Sequence, residues 1–404
     1  MSGTPALAAD DIVVIGFARS PFGRFGGALR DVPLPMLGAT AVQAALQRAG
    51  TSPETVDELV LGVNLPGSDR SVARQVQLRV GIPPERVSYT VDRACCSSLT
   101  ALALASRGLL VGGTRLAVAG GVDNLSLVPY FVHAARWGQR LGHVTLEDQL
   151  VISCPHTGVP RAVQAGEEAV EFGIDREQQD GWALRSQQRF EAARRAGHIA
   201  PQLVDVHVGL DDGRQALLND DECPRPDTTT EQLSGLSTVY GSPTVTAGNA
   251  PNMSTGATAL VVTRADTADA MGAAPVARLR AFAAVSGKPQ RIASIPATAA
   301  RAALTRARLD IDDLDALEVN EAFAAVPLVS TLLLADRDAG RTRDLRERTN
   351  LHGGAIAVGH PTGATAARLV MTLIGVLRAT GGTRGLVTIC GGIGEAEAVV
   401  VELL

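Results

Sequence analysis

Hydrophobic positions fall into two kinds of block along this 404-residue chain. Asp11 to Ala18 (DIVVIGFA) is a short β-rich run, stopped by Arg19-Ser20-Pro21 and glycines 23, 26 and 27. Met36 to Ala49 carries apolar residues at helical spacing and ends at Gly50, whereas Leu59 to Val63 is a continuous apolar run of strand length. Arg86 to Val91 is again strand-like, and Leu99, Leu102, Ala103, Leu104, Ala105 and Leu109 then read as a buried helix. This alternation predicts an α/β fold: a mostly parallel sheet covered by helices.

The pattern also repeats. Gly38 to Ala49 matches Pro296 to Ala307 at most positions without a gap, and the register continues from Val56-Asp57-Glu58-Leu59 onto Leu314-Asp315-Ala316-Leu317. Gly112-Gly113-Thr114-Arg115 matches Gly381-Gly382-Thr383-Arg384, each after a small-residue helix and before a strand ending in glycines. One such pair is open to coincidence between alanine-rich helices. Two in the same order indicate a duplicated chain. Between the halves the pattern changes. Asp175 with Gln178 forms a capping-box signature that opens a polar helix to about Arg195, closed by Gly197. Asp211 to Pro243 reads as loop, and Leu333 to Thr349 as an exposed helix end and loop. The domains expected are 1–121 plus 246–275, an inserted loop domain over 122–245, and 276–404.

Composition narrows the class. With 46% hydrophobic and 20% charged residues the chain is globular, and its formal net charge of -5 argues against a nucleic-acid binder. Apolar runs break before 18 residues, so no membrane span is expected. Residues 1–10 have no signal-peptide pattern, the last four are not a peroxisomal address, and the expected location is cytoplasmic. The five cysteines (95, 96, 154, 223 and 390) fit neither a disulfide framework nor a zinc site, so no metal is expected.

Cys95 falls where a strand turns into a helix N-terminus. Free backbone N–H groups and the helix dipole there would favour a reactive thiolate. Cys95 and Cys96 as small buried hydrophobes is the alternative. The second half supplies three more turns, carrying Asn320, His360 and Cys390, the last two marked by glycines. Together the four positions offer nucleophile, positioner, base and acid. His133, His143, His198 and His207 have no motif around them and read as structural.

In this order, Val91 to Ala101, Gly120 to Ser126, Val245-Thr246-Ala247-Gly248-Asn249-Ala250, Asn320-Glu321-Ala322-Phe323-Ala324, Gly359-His360-Pro361 and Cys390-x-Gly392-x-Gly394 resemble the thiolases, meaning acetyl-CoA acetyltransferases and 3-ketoacyl-CoA thiolases. The resemblance covers nearly the whole chain. It implies a thiolase fold of two βαβαβαββ halves in an α-β-α-β-α stack, with a loop domain inserted in the first. It implies an acyl-Cys95 intermediate, His360 as base and Cys390 as acid/base. One oxyanion hole would come from His360 and a water held by Asn320, the other from the backbone N–H groups of Cys95 and Gly392. Acyl-CoA and CoA would be substrates with no permanent cofactor, and the chain would form a homodimer or homotetramer.

Ala247, Gly248 and Phe323 are the substrate-binding positions the motifs imply. Cys154-Pro155-His156-Thr157-Gly158 is similar to the family's acyl-pocket segment, which makes His156 a pocket residue or a structural histidine. Departures are Asp92, Cys96, Ser98, Pro251 and Thr255. Cys96 and Ser98 are larger than the family's usual residues and are expected to tighten the turn or narrow the pocket. Two rivals stay open: a ketosynthase-like condensing enzyme, which Cys390 argues against, and a non-catalytic acyl-CoA-binding paralogue.

Overall fold

The computed structural model describes residues 7–151, 153–209 and 214–404. Residues 1–6 of the leader reading and 211–213 of the loop reading lie outside it.

Among the described residues ten strands form one sheet, nine of them in the order Ala316–Val319, Arg384–Cys390, Glu395–Leu403, Ala277–Ser286, Ile12–Arg19, Ser254–Arg264, Leu116–Asn124, Glu58–Gly62 and Val87–Val91, with the short strand Gly23–Arg24 paired to Ser254–Arg264. It splits into two halves that are joined as a sheet where Val13 and Val14 pair with Arg278 and Ala277. Each half has the same internal pairing. Glu58–Gly62 runs parallel to Leu116–Asn124, which pairs antiparallel with Ser254–Arg264. Ala316–Val319 likewise runs parallel to Arg384–Cys390, which pairs antiparallel with Glu395–Leu403. A parallel bridge from Leu317 to Thr349 occupies the place of the edge strand Val87–Val91.

The repeat extends to single hydrogen bonds. Asp57 accepts the N–H of Arg115 at 2.9 Å, and Asp315 accepts that of Arg384 at 2.9 Å. The expected mostly parallel sheet is corrected: the sheet is mixed, with antiparallel pairs in the majority. Cys390 and Glu395 are joined by too few residues for a crossover, so that connection can only be a hairpin.

Because strand side chains alternate between faces, each half-sheet has two apolar surfaces. Leu59, Leu61, Val118 and Val122 face Leu37, Val42 and Leu46 of the helix Leu34–Arg48. Leu317, Leu386 and Val400 face Ala300, Ala303 and Leu304 of Ile295–Ala307. The two remaining faces enclose one shared layer, made by the helices Ser97–Val111 and Thr362–Thr380. This is the α-β-α-β-α stack.

Thr362–Thr380 is buried along nearly its whole length, as expected of a helix apolar on all sides. The window Ala94–Val111, mean hydropathy 1.5, is long and apolar enough by composition to cross a membrane. Here Leu99, Leu102 and Leu109 pack in the central layer, so burial accounts for that apolarity.

Close approach of backbones positions both central helices. A Cβ on Gly62 would lie 2.4 Å from the Ser97 carbonyl carbon, and one on Gly121 2.0 Å from the Gly363 oxygen. Only glycine lets the two helix N-termini seat directly on the strand ends.

The capping box of Asp175 and Gln178 is present, and the helix runs Arg176–Arg195. Two loop readings are corrected. The segment 214–243 holds a strand, Gln215–Leu218, and a short helix, Thr230–Ser234, capped by Thr229. Ala339–Glu347 is a complete helix, capped by Asp338. Charge along 333–349 masked that cap.

Candidate active site

The Cys95 turn is drawn tight by its neighbours. Ala94 sits in the left-handed region at φ 48, uncommon for alanine. The Asp92 carboxylate accepts the Ala94 N–H at 2.9 Å, and the Ser97 hydroxyl accepts the Arg93 N–H at 2.8 Å while donating to the Ala94 carbonyl. Cys96 and Ser98 are fully buried and point away from the turn. The Cys96 sulfur meets the Ile389 carbonyl at 3.5 Å, and the Ser98 hydroxyl accepts the Ala367 N–H at 3.0 Å. The pocket-narrowing expectation for them is therefore corrected: they bind the nucleophile turn to the Cys390 strand and the His360 helix. Thr255 is likewise buried, donating to Asn124 at 2.7 Å.

His360 Nε2 lies 3.2 Å from the Cys95 sulfur, and Nδ1 lies 2.7 Å from the Thr365 hydroxyl. That hydroxyl also donates to the Pro361 carbonyl at 2.8 Å. A hydroxyl has one proton, so both contacts are satisfied only if His360 Nδ1–H is the donor. The tautomer assigned in this way leaves Nε2 as an acceptor facing the thiol. The Asp123 carboxylate fixes the helix behind, accepting the Gly363 N–H at 2.5 Å, the Thr362 hydroxyl at 2.7 Å and the N–H of Asn64 at 3.2 Å. Burial raises that carboxyl to about 6, against the pull of these donors.

Burial dominates the two catalytic candidates. It drives the Cys95 thiol well above its ordinary range, helped by Cys390 and Asp123 and opposed by Arg161. It lowers His360 to about 3, with Arg368 adding repulsion. Burial thus opposes the expected helix-stabilised thiolate and favours neutral thiol beside neutral imidazole at rest. Alkylation of Cys95 by iodoacetamide should therefore accelerate steadily from pH 6 to pH 9 with no plateau, measured as loss of activity against time. A plateau below pH 8 would mean a preformed thiolate.

Cys390 ends its strand and is buried. Burial pushes its thiol up to about 12, although its own N–H and that of Gly392 point at the sulfur. Gly392 has φ 79, which any side chain would strain. Asn320 is fully buried, and neither atom of its amide bonds another described residue. Its neighbour Glu321 is saturated by Trp182 Nε1, Ser186, Asn350 and the Ile356 N–H, all at 2.8–3.0 Å. Glu321 so ties the inserted helix to the His360 turn, a role the sequence reading did not assign.

The implied substrate positions lie on neighbouring segments, joined by the Ala324 N–H donating to the Asn249 carbonyl at 2.9 Å. Ala247 and Gly248 line a cleft with Gln187, Arg225, Leu236 and Asn252. Phe323 is half-buried and does not line the cleft itself, but packs in the apolar cluster that includes the cleft residues Leu233, Ala250 and Ile356. His156 is exposed on a loop, its backbone N–H turned to the Cys154 sulfur. The residue from that segment that reaches the site is Arg161: its Nε is 3.6 Å from where a Gly392 Cβ would stand. Sequence reading missed Arg161 because only the fold lays the helix Arg161–Glu171 against the Cys390 turn.

Comparison with known proteins fits this geometry. The profile "Thiolase, N-terminal domain" matches residues 12–266, and "Thiolase, C-terminal domain" matches 273–403. The chain belongs to the thiolase family. An acetyl-CoA acetyltransferase of Cupriavidus necator is 35% identical over 97% of this chain and 99% of its own length. A beta-ketoadipyl-CoA thiolase of Pseudomonas aeruginosa is 38% identical over 97% and 99%. The crystal structure of Bacillus anthracis acetyl-CoA acetyltransferase superposes with a TM-score of 0.93 at 33% identity, covering 99% of this thiolase and 100% of that chain.

Proposed function

We propose that this thiolase exchanges an acyl group between a 3-oxoacyl-CoA and CoA through an acyl-Cys95 thioester, in either direction. The carrying observation is the 3.2 Å Cys95–His360 contact, with the histidine tautomer set by Thr365. As the sulfur attacks C3 of the substrate, its proton passes to His360 Nε2. The C2–C3 bond breaks, and the Cys390 thiol protonates C2 to release acetyl-CoA. In the second half the incoming CoA thiol gives its proton to the Cys390 thiolate and attacks the acyl carbon. Cys95 leaves and recovers its proton from His360.

Each step passes through an oxyanion. The N–H groups at Cys95 and Gly392, and the buried, unpaired Asn320 amide, are suited to receive it. Each such donor is worth about 3–4 kcal/mol when removed singly. The cleft holding Ala247 and Gly248 suits the CoA moiety. The relatives' names span acetyl and ketoadipyl acyl groups, so the acyl wall decides the substrate.

The test is incubation of the purified protein with a 3-oxoacyl-CoA and CoA. Release of acetyl-CoA and the shortened acyl-CoA is expected, with an acyl adduct on Cys95 by mass spectrometry. A requirement for malonyl-CoA would favour the ketosynthase rival. Binding of CoA thioesters without any acyl exchange would favour the non-catalytic one.

A further inference from the structure

The thiolase chemistry above needs two sulfurs, an imidazole and backbone donors. It assigns nothing to Arg161. Yet Arg161 is the cation whose field reaches both reacting sulfurs, and its Nε edge lies over the Gly392 turn.

The position is built. Arg161 is the first residue of its helix, following Pro160. Further along, Glu168 anchors that helix by accepting the N–H groups of Ile292, Ala293 and Ser294 at 2.7–3.1 Å. The guanidinium itself is held from one side. It donates to Gln164 Oε1 at 3.1 Å and to the Cys154 sulfur, and Gln164 donates in turn to Thr157 at 3.0 Å. Arg161 has no carboxylate partner within salt-bridge distance among the described residues. Of its five N–H donors, two are used, and the remaining three have no protein acceptor among the described residues.

A wall for an unsubstituted acyl tail is expected to be apolar. A guanidinium backed by Gln164 and Thr157 is a wall for an anion, because a planar fork with spare donors matches a carboxylate. We propose that Arg161 is a specificity-determining residue that pairs with a carboxylate at the far end of the acyl chain. The substrates preferred are then short 3-oxo-dicarboxylyl-CoA thioesters. The chain is short because the guanidinium lies against the turn that carries Cys390, so its partner lies only a few carbons from the reacting centre. This rests on the thiolase reading above and adds the substrate class to it.

A matched pair of substrates tests it: 3-oxoadipyl-CoA and 3-oxohexanoyl-CoA share chain length and differ in the terminal carboxylate. In the wild-type protein, kcat/KM for the carboxylated substrate should exceed the other by at least about tenfold. In Arg161→Met that ratio should fall by at least about 30-fold, the scale of losing charge-assisted hydrogen bonds. Arg161→Lys keeps the charge without the fork and should lie between. A ratio that stays within threefold in Arg161→Met overturns the proposal. That holds whether both rates drop together, which would mark Arg161 as serving the thiols, or neither does. A wild-type protein that cleaves neither substrate would instead refute the thiolase reading, and thermal melts separate either result from misfolding.

Discussion

Cys95→Ala is expected to lower thiolytic turnover of a 3-oxoacyl-CoA by at least about 10⁵-fold, the scale seen when a covalent nucleophile is removed. The sulfur is the atom that carries the acyl group, so no neighbour replaces it. Cys96 is adjacent but fully buried, its sulfur turned to the Ile389 carbonyl. His360 would remain, but an imidazole lowered to about 3 is a weak nucleophile and lies behind the missing sulfur. The fold should persist, because the turn is held by Asp92 and Ser97 rather than by the thiol. Acetyl-CoA release at within tenfold of the wild-type rate, in protein with an unchanged melting temperature, would remove Cys95 from the mechanism.

Cys390→Ala should divide the reaction in two. Carbon–carbon cleavage leaves a carbanion at C2 that needs a proton, and loss of a positioned acid costs about 10²–10⁴-fold. Acyl exchange between a simple acyl-CoA and labelled CoA asks Cys390 only to take or return the proton of a CoA thiol, which is acidic enough to pass its proton to water instead. Exchange should therefore fall by much less than cleavage, with the gap between the two losses at least about tenfold. The physical basis is the Cys390 thiol itself, which burial pushes up to about 12. It holds its proton at neutral pH and is available as an acid. An equal fall in both rates would mean that the substitution disturbs the Cys95 turn, against which the Cys390 strand packs through Cys96.

Much of the frame was legible in the residues. The repeat between Gly38–Ala49 and Pro296–Ala307 is local, and helix patterning survives without tertiary help. Both copies are helices in the structure, and Asp57 and Asp315 perform the same bond. The mixed pairing of the sheet was harder to read. An alternation of β and α blocks says nothing about the strand Ser254–Arg264, which returns after an insertion of about 130 residues to lie antiparallel beside Leu116–Asn124.

The site divides in the same way. His360 and Cys390 were marked by flanking glycines, because a side chain presented on a sharp turn requires close backbone approach, whereas Cys95 and Asn320 were marked by small or polar residues at a strand end. His156 was chosen on local similarity and lies exposed, while Arg161 had no local mark at all.

The sequence by itself determined that two similar halves carry small-residue turns with two thiols, an imidazole and an amide, since each of those signals is contained in a few adjacent residues. Tertiary structure alone decided their charge states and their company. Desolvation, which keeps the Cys95–His360 pair neutral, and the field of Arg161 over both sulfurs are sums over atoms from chain segments hundreds of positions apart. No window of sequence contains such a sum.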